Sequence, residues 1–579
     1  METRMEDCRS LIRQGALAAA LMLAACTRPA GIDGQVLDAD GHALAGAMVT
    51  LQRGVGEQGP SATTVFTDAE GHFKLPDGAP AGQLHARLLN YRQAEDGTSV
   101  KASSHGVRIS MVAEPDQAAV APASAWLAGA ATEDKNRLVL TCVSCHQFPA
   151  PAVRNYARLI DETPHEDAAD ARRQSWQALV KYMNYISAWE FGRGGNDVEP
   201  DPNRAYSGGD AGPTGALIAK VLTGPEQHMS GYSYGAPLLA NARTVIREYE
   251  VPAPNAVREA ITLDDPDTLY VADVSSNRIV KVNAVTGAMQ DLQIPLDRPM
   301  GPHTLVRGAD DTLWATSFFH GTVAQLDPKT SQWQVWPLDL GGGKVPGVHD
   351  LSFGYEQNLL TDATGLIWYS DIGNNGVGWF DPKTGKAGGY PVLPVKGRVG
   401  GEQTYGLVMS ADRKHIWYCQ LGIGAFGSFN VETRKFETTV QFEDQYAGPR
   451  RMTISDQDVL YLALYGAGQL AEYDTKTQQM VGVYDLPDRA SAPYSATWDP
   501  LRKVVWVATS NADVIYRFNP ADKSFAVLPL PRQNAFLRMI QVDRHSGELI
   551  TSYGNIVEYV HGPRMALKID LGDRPEVSP

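Results

Sequence analysis

The chain has 579 residues, which at about 100–200 residues per domain gives room for several domains. Hydrophobic residues make up 43% of it and charged residues 20%, a balance that excludes a mostly disordered chain. The formal net charge of −15 argues against a general nucleic-acid binder, because such a protein needs a basic face for phosphate groups.

Residues 1–26 have the pattern of an export signal. A short apolar run at residues 16–25 follows Arg9 and Arg13 and is too short for a membrane span, which needs about 20 residues. The run ends in LAAC, which resembles a bacterial lipobox; the resemblance implies cleavage before Cys26 and lipidation of its thiol. The alternative is an ordinary signal peptide with an incidental cysteine. We expect a protein in the periplasm or at the cell surface, held to the outer membrane by a lipid anchor only.

Residues 27–115 are predicted to form an immunoglobulin-like β-sandwich, because short alternating strands are separated by turns rich in Asp and Gly. The pattern G-x-V-x-D-x-x-G-x-x-L-x-G-A-x-V starts at Gly34, and T-D-A-E-G-x-F starts at Thr67. Both resemble carboxypeptidase regulatory-like domains. The resemblance implies a non-catalytic module that acts as a spacer or contacts a partner.

Residues 116–242 contain the motif C-x-x-C-H at Cys142, Cys145 and His146. Two thiols at this spacing can add to the vinyl groups of a haem, and the adjacent imidazole can then ligate the iron. With the helix predicted before it, the motif resembles a c-type cytochrome and implies covalent haem c. A thioredoxin-like pair would need a βαβ context, and a zinc site would need a second Cys/His pair; neither is found in this region.

The second axial ligand of the iron is predicted on a helix over residues 172–189. Trp176, Val180 and Met183 share one face of this helix. A similar W-x-x-x-V-x-x-M helix occurs in many cytochrome c modules, which implies Met183 as the ligand. A core methionine is the alternative. Other candidate ligands are Met229, His228 and His165.

Residues 243–579 repeat a unit of about 45 residues that has an aromatic strand and an Asx-initiated turn, except that the last unit lacks a clear turn. This period, with four strands per unit, predicts a seven-bladed β-propeller. Residues 244–251 precede the first unit and are predicted to pair with the last blade, which would close the open edge of the ring.

The blades resemble virginiamycin B lyase (streptogramin lyase), a family of seven-bladed propellers. The resemblance rests on GPHTL at residues 301–305 and on the following LW at 313–314. In that family, two histidines from consecutive blades, one of them a general base, lie beside glutamates that hold Mg²⁺. The corresponding pair here is His303 and His349, after a circular shift of the blades. Asp371 matches one family acid, whereas Ser317 and Gly347 replace two others, so the lyase chemistry is one alternative among several.

Equivalent residues at the entry of each inner strand are predicted to form a ring around the propeller channel. Such a convergence of polar groups is a candidate site for a small, anionic organic substrate. His303, His349, Tyr405 and Asp371 are the predicted catalytic residues. Arginine side chains on the opposite side of the ring could bind a carboxylate through two hydrogen bonds from one guanidinium group. The ring residues are predicted to be Glu259, His303, His349, Tyr405, Arg450, Tyr494 and Arg538.

Three functions follow from these patterns. The first is an oxidoreductase whose propeller oxidises a substrate and passes electrons to haem c and then to a periplasmic electron-transfer protein; a quinone or divalent metal could assist in the propeller. The presence of a cytochrome-like region and a propeller in one chain favours this function, because the elimination reaction of a lyase needs no haem. The second is a lyase similar to virginiamycin B lyase. The third is a non-catalytic electron-transfer or docking lipoprotein.

Overall fold

The computed structural model describes residues 31–53, 58–162, 168–192, 210–222, 232–252, 257–274, 276–297, 301–317, 321–341, 344–354, 361–398, 403–555 and 563–573. The structure is mainly β, with one helical segment between two groups of strands. No helix among these residues has both the length and the apolar character needed to span a membrane. Cys26 lies outside the described residues.

The N-terminal strands form two sheets around one core. One sheet has the order β4-β1-β8-β6, in which β1 and β8 are parallel, and the other contains β3-β2-β5-β7. Alternating residues such as Val36, Val49, Val65 and Ile109 point inward and are buried together. The strands are β1 Asp33–Leu37, β2 Met48–Gln52, β3 Ala62–Phe66, β4 His72–Lys74, β5 Gly82–Arg87, β6 Tyr91–Gln93, β7 Thr98–Val100 and β8 Val107–Ala113.

The helical segment follows directly. Its apolar residues Leu138, Val143, Trp176 and Ile218 come from three helices and the loop after one of them, and they share one core. The helices are α1 Gln117–Val120, a 3₁₀ turn Ala123–Leu127, α2 Thr132–Cys142, α3 Pro151–Glu162, α4 Ala168–Gly192 and α5 Ala211–Val221.

The remaining strands form seven antiparallel sheets in chain order. Strand β9 Val245–Glu250 comes first in the chain. The first sheet is β10 Val257–Thr262, β11 Thr268–Asp273, β12 Arg278–Asn283 and β13 Met289–Gln293, and the second is β14 Pro302–Arg307, β15 Leu313–Ser317, β16 Thr322–Asp327 and β17 Gln332–Pro337. The third sheet is β18 Val348–Leu351, β19 Ile367–Asp371, β20 Gly376–Phe380 and β21 Ala387–Pro391. The next two are β22 Thr404–Met409, β23 His415–Gln420, β24 Ala425–Asn430, β25 Lys435–Gln441; β26 Pro449–Ile454, β27 Val459–Leu464, β28 Gln469–Asp474 and β29 Gln479–Asp485. The last two are β30 Pro493–Asp499, β31 Val504–Thr509, β32 Val514–Asn519, β33 Ser524–Pro529; β34 Ile540–Val542, β35 Leu549–Ser552, β36 Met565–Asp570 and the earlier strand β9.

These sheets are the blades of a β-propeller. The first strand of each blade packs against the first strand of the next, and the ring closes where β10 packs against β35. A separate apolar core fills the space between neighbouring blades. Strand β9 is the outer strand of the last blade, as the sequence predicted, and its other edge pairs with β3 of the N-terminal sheet. One continuous sheet therefore joins the two β regions.

Candidate active site in the propeller channel

An irregularity recurs at the start of the inner strands and sets which side chains enter the channel. In the second blade, Pro302 pairs with Ser317 but the next partners are Leu305 and Ala315, so His303 and Thr304 form a bulge. Blades one, three, four and five bulge in the same way. The first residue of each bulge and its counterparts in the last two blades are Arg258, His303, His349, Tyr405, Arg450, Tyr494 and Arg538.

This register corrects the ring position predicted for Glu259. Val257 pairs with Asp273 at the start of the first blade, which makes Arg258 the first bulged residue and Glu259 the second. Repeat spacing alone could not separate the two, because the repeat length itself varies by more than one residue. Aligning Asp273 with Ser317 at the strand ends gives Glu259 again, so the observed pairing of Val257 with Asp273 is needed to identify Arg258.

The ring side chains form a continuous buried cluster. Nη2 of Arg258 donates to Nε2 of His303 at 2.6 Å. The rings of His303 and His349 have centroids 4.2 Å apart, and those of His349 and Tyr405 are 3.9 Å apart. The hydroxyls of Tyr405 and Tyr494 share a hydrogen bond of 2.6 Å. Each of these side chains is at most 7% exposed, so they are shielded from bulk water.

Two further arginines surround Tyr494. The guanidinium of Arg450 lies 3.9 Å from the centre of its ring, and Nη1 of Arg538 donates to its hydroxyl at 2.9 Å. Burial raises the pKa of Tyr494, but the positive charges, first Arg450 and then Arg538, outweigh burial and lower it to about 7. Burial raises the pKa of Tyr405 to about 12. At neutral pH, Tyr494 can therefore hold a phenolate that accepts a proton.

Both histidines are neutral at pH 7. Burial, together with the charge of Arg258, holds the pKa of His303 well below its usual value, and burial lowers that of His349 to about 4. The Thr304 hydroxyl donates to Oδ1 of Asp350 at 2.8 Å, so the 2.9 Å contact between Nδ1 of His303 and this hydroxyl has the imidazole as donor. We therefore assign the Nδ1–H tautomer to His303, with Nε2 accepting from Arg258.

A second layer of charged residues lies one position further along the channel. Arg451 donates from Nε to Oδ2 of Asp350 at 2.9 Å and from Nη1 to Oε1 of Glu259 at 2.7 Å. All three are buried. The carboxylates hold the guanidinium in place, and the network divides the ring cluster from the apolar part of the channel around Leu305 and Leu407.

The carboxylate beside the histidines is Asp350, whose Oδ1 lies 3.0 Å from Nδ1 of His349. Asp371, the predicted acid, instead accepts from the backbone N–H groups of Gly347 and Asn374 at 2.9 and 3.0 Å. It fixes the turn after β19. The sequence had placed Asp371 by family resemblance, whereas Asp350 follows His349 directly in the same bulge.

Ligand atoms of His303, His349 and Asp350 lie within 4.8 Å of one another, so a divalent metal must be considered. The contacts do not fit one as the site stands. Nε2 of His303 already accepts from Arg258, and both Asp350 oxygens accept from Arg451. Mg²⁺ prefers several oxygen ligands, and two guanidinium charges beside it would oppose binding.

The C-x-x-C-H residues supply the groups that covalent attachment of haem c would need, two thiols and an imidazole. Cys142 ends helix α2, and neither it nor Cys145 forms a disulfide with another described residue. Nδ1 of the buried His146 donates to the Gln147 carbonyl at 2.6 Å, which leaves Nε2 available for iron. Met183 is half-buried on α4; the alternative ligands Met229, His228 and His165 lie outside the described residues.

This motif lies directly over the ring cluster. The Tyr465 hydroxyl donates to the carbonyl of Val143, and Nη2 of Arg538 donates to that of Ser144 at 3.4 Å. Val143 also shares an apolar core with Tyr494 and Phe536. The residues between the two thiols thus cover one mouth of the channel.

No protein-family profile and no curated protein matches the chain. Among solved structures, it is similar to virginiamycin B lyase from Staphylococcus aureus, with 16% identity over 56% of this chain and 99% of that one and a TM-score of 0.47. A streptogramin B lyase structure has 17% identity, 56% and 97% coverage and a TM-score of 0.46. A catalytically inactive variant of the S. aureus lyase with quinupristin has 15% identity, 56% and 99% coverage and a TM-score of 0.46. Likenesses this distant do not assign an activity to the chain.

Proposed function

We propose that the chain is an exported oxidoreductase that binds a small anionic organic substrate in the propeller channel and carries haem c over the mouth of that channel. The observation that carries this proposal is the contact between the two sites. Arg538 bonds both to Tyr494 in the ring and to the Ser144 carbonyl between the two cysteines. An electron leaving the channel would have a short path to the C-x-x-C-H motif.

Cys142 and Cys145 would hold the haem covalently, His146 would be one axial ligand, and Met183 is proposed as the other. The haem would supply one-electron redox chemistry and exchange electrons with a periplasmic electron-transfer protein. The burial of His146 and its hydrogen bond to Gln147 support this assignment, because both restrict the imidazole to one orientation.

The charge of the channel supports an anionic substrate. Arg258, Arg450, Arg451 and Arg538 bring four guanidinium groups together, whereas Asp350 and Glu259 are the two carboxylates that bond to the network. Arg451 is the arginine that these carboxylates hold. No carboxylate among the described residues forms an ion pair with the other three, which donate to His303, Tyr405 and Tyr494. A bound carboxylate or phenolate would offset this buried charge.

Proton transfer is assigned to Tyr494, with His349 as a second acceptor on the far side of Tyr405, whose ring contacts both. A base works best when its pKa is near the working pH, which the arginines provide for Tyr494. The hydrogen bond from Tyr405 would hold the phenolate in place. Oxidation of an alcohol or phenol requires removal of such a proton as well as electrons.

The test follows haem absorption in the oxidised, haem-loaded chain under anaerobic conditions, while small hydroxy acids, alcohols, phenols and a streptogramin are added. We expect one anionic compound to reduce the haem, and Tyr494→Phe to slow this reduction at least tenfold. Tyr516→Phe, a buried tyrosine of blade six outside the ring, is the control. If none of the panel reduces the haem, the oxidoreductase proposal fails.

A streptogramin lyase is the second candidate, favoured by one observation: His303 and His349 keep their rings 4.2 Å apart, so one could act as a base on a substrate above them. The same experiment separates the two. Consumption of the streptogramin with an oxidised haem, lost in His349→Ala, would support the lyase. A chain that does neither would be an electron-transfer or docking lipoprotein.

The proposal includes an N-terminal module with an immunoglobulin-like fold that resembles carboxypeptidase regulatory-like domains and acts as a spacer. It also includes export of the chain and lipidation at Cys26. Cys26→Ser tests the anchor. In a bacterial host fed a tagged fatty acid, we expect the parent chain to be labelled and found in the outer-membrane fraction. The variant should be unlabelled and soluble in the periplasm; a labelled variant would contradict lipidation at this cysteine.

A further inference from the structure

A second pocket lies outside the channel, where the helical segment meets the propeller. Its volume is about 160 Å³, close to that of an engineered cavity of about 150 Å³ that admits benzene. Helical-segment residues Trp126, Gln147 and Arg154 line one side, and propeller residues Asp513 and Gln533 line the other. The proposed oxidoreductase reaction uses none of these side chains.

The pocket contains two buried groups that donate hydrogen bonds, the guanidinium of Arg154 and the indole N–H of Trp126. Arg154 is only 8% exposed and bonds to backbone carbonyls, with Nε on Pro149 at 2.9 Å and Nη1 on Ala121 at 3.1 Å. No carboxylate forms an ion pair with it in the part of the chain that the structure describes. The indole N–H of Trp126, 3% exposed, has no hydrogen-bond partner within the same residues. The Arg154 guanidinium lies 5.3 Å from the centre of the Trp126 ring.

Both groups can only donate, so a ligand here must offer acceptors. A buried cation without a carboxylate favours a negatively charged acceptor. Asp513 on the facing wall is ion-paired with Arg87 at 3.2 Å, and Arg158, which also lines the pocket, is ion-paired with Asp116 at 2.9 Å. The charge of Arg154 is therefore the one that a ligand would offset. The chemistry therefore selects a monoanion over a dianion such as phosphate.

We propose that this pocket binds a small organic monocarboxylate of about the size of benzoate. Its carboxylate would accept from Nη2 of Arg154 and from the indole N–H of Trp126. Its apolar part would lie against Ala118 and Ala121, which also line the pocket. The site is independent of the channel and of the reaction proposed there.

The test uses the full haem-loaded chain and benzoate. Calorimetry should detect binding, and a crystal soaked with 4-iodobenzoate should show iodine in this pocket by anomalous scattering. Trp126→Phe removes only the donor N–H, and we expect it to weaken binding about tenfold, as for loss of a hydrogen bond to a charged group. Trp176→Phe is the matched control. The indole N–H of Trp176 is also buried with no hydrogen-bond partner in the described part of the chain, but it lies outside the pocket. This control should change the affinity less than twofold.

Three results would overturn the proposal: iodine only in the channel, equal weakening in both tryptophan variants, or tighter binding of inorganic phosphate than of benzoate. Should Trp126→Phe fail to fold, the iodine position in the unchanged protein still decides. A Tyr494→Phe chain should bind benzoate in this pocket like the parent. Failure of the channel reaction and failure of this site are therefore separate outcomes.

Discussion

At the scale of single residues, Tyr494 is the side chain on which most of the channel chemistry depends. It receives hydrogen bonds from Tyr405 and Arg538 and lies against the guanidinium of Arg450. Two opposing effects act on it, since burial favours the neutral phenol and the guanidinium charges favour the phenolate. The charges dominate because they are close and are themselves removed from water.

A titration of the phenolate absorption band tests this balance. The parent chain should gain one phenolate near pH 7, and Tyr494→Phe should abolish that transition. Tyr516→Phe should leave it intact, because burial raises the pKa of Tyr516 well above its usual range. The pKa of Tyr494 is lower in the folded chain than in the unfolded chain, where it is about 10. Stability relative to Tyr494→Phe should therefore rise between pH 7 and 10 and be lost as the pH falls below 7. A flat difference would contradict the assignment.

The charge network around Arg451 gives a second prediction at this scale. Arg451→Met would leave Asp350 and Glu259 buried without their cation, and we expect a loss of about 3–5 kcal/mol in the free energy of unfolding. Denaturant unfolding measures it. The control Arg173→Met removes a largely exposed ion pair and should cost under about 1 kcal/mol. Adding Asp350→Asn to Arg451→Met should recover part of the loss; if it does not, the network is not what stabilises this layer.

At the scale of elements, the repeat was readable from sequence because each blade must place an aromatic strand and a turn at the same point. The bulge in the first blade could not be predicted from sequence, because it depends on which residues pair across β10 and β11. No particular residue type marks its position. This is why the ring residues from His303 to Arg538 could be predicted while Arg258 was missed. Asp371 lies at the end of its strand as predicted, but its carboxylate accepts from the backbone of the turn, and the sequence pattern cannot distinguish this use of an acid from a catalytic one.

Strand β9 is the element that links the two β regions, and its burial gives a third prediction. Ile246 is fully buried among residues of the last two blades, including Leu567 and Ile569. Ile246→Ala should lower the free energy of unfolding by about 2–4 kcal/mol, because a cavity remains. Val285→Ala, at a position 65% exposed, should have little effect. Hydrogen exchange should rise first in β36, which pairs with β9, and then in β35, which pairs with β36. A uniform rise in exchange across all blades would show that closure of the ring is not local.

At the scale of the whole molecule, the three parts of the chain meet at Asp513, a propeller residue that is 1% exposed. Its carboxylate accepts from Arg87 of the N-terminal sheets at 3.2 Å and from Gln147 beside the C-x-x-C-H motif at 2.8 Å. It also accepts from the backbone N–H of Ala535 at 2.8 Å. The sequence could not reveal this residue, because its side-chain partners Arg87 and Gln147 are more than 300 positions away and no local pattern marks them.

Asp513→Ala should therefore loosen the contact between the parts as well as destabilise the fold. Three donors would lose a buried acceptor, and we expect about 2–4 kcal/mol less stability. Limited proteolysis should then cut faster within residues 116–242 than within the propeller, since the helical segment would release Gln147 first. The control Asp522→Ala removes an exposed carboxylate that bonds within its own turn to Ser524 and should leave both measurements unchanged. Equal acceleration of cleavage in all three parts would mean that Asp513 supports the propeller alone. The C-x-x-C-H motif would then be held over the channel by the apolar core around Val143 and Tyr494.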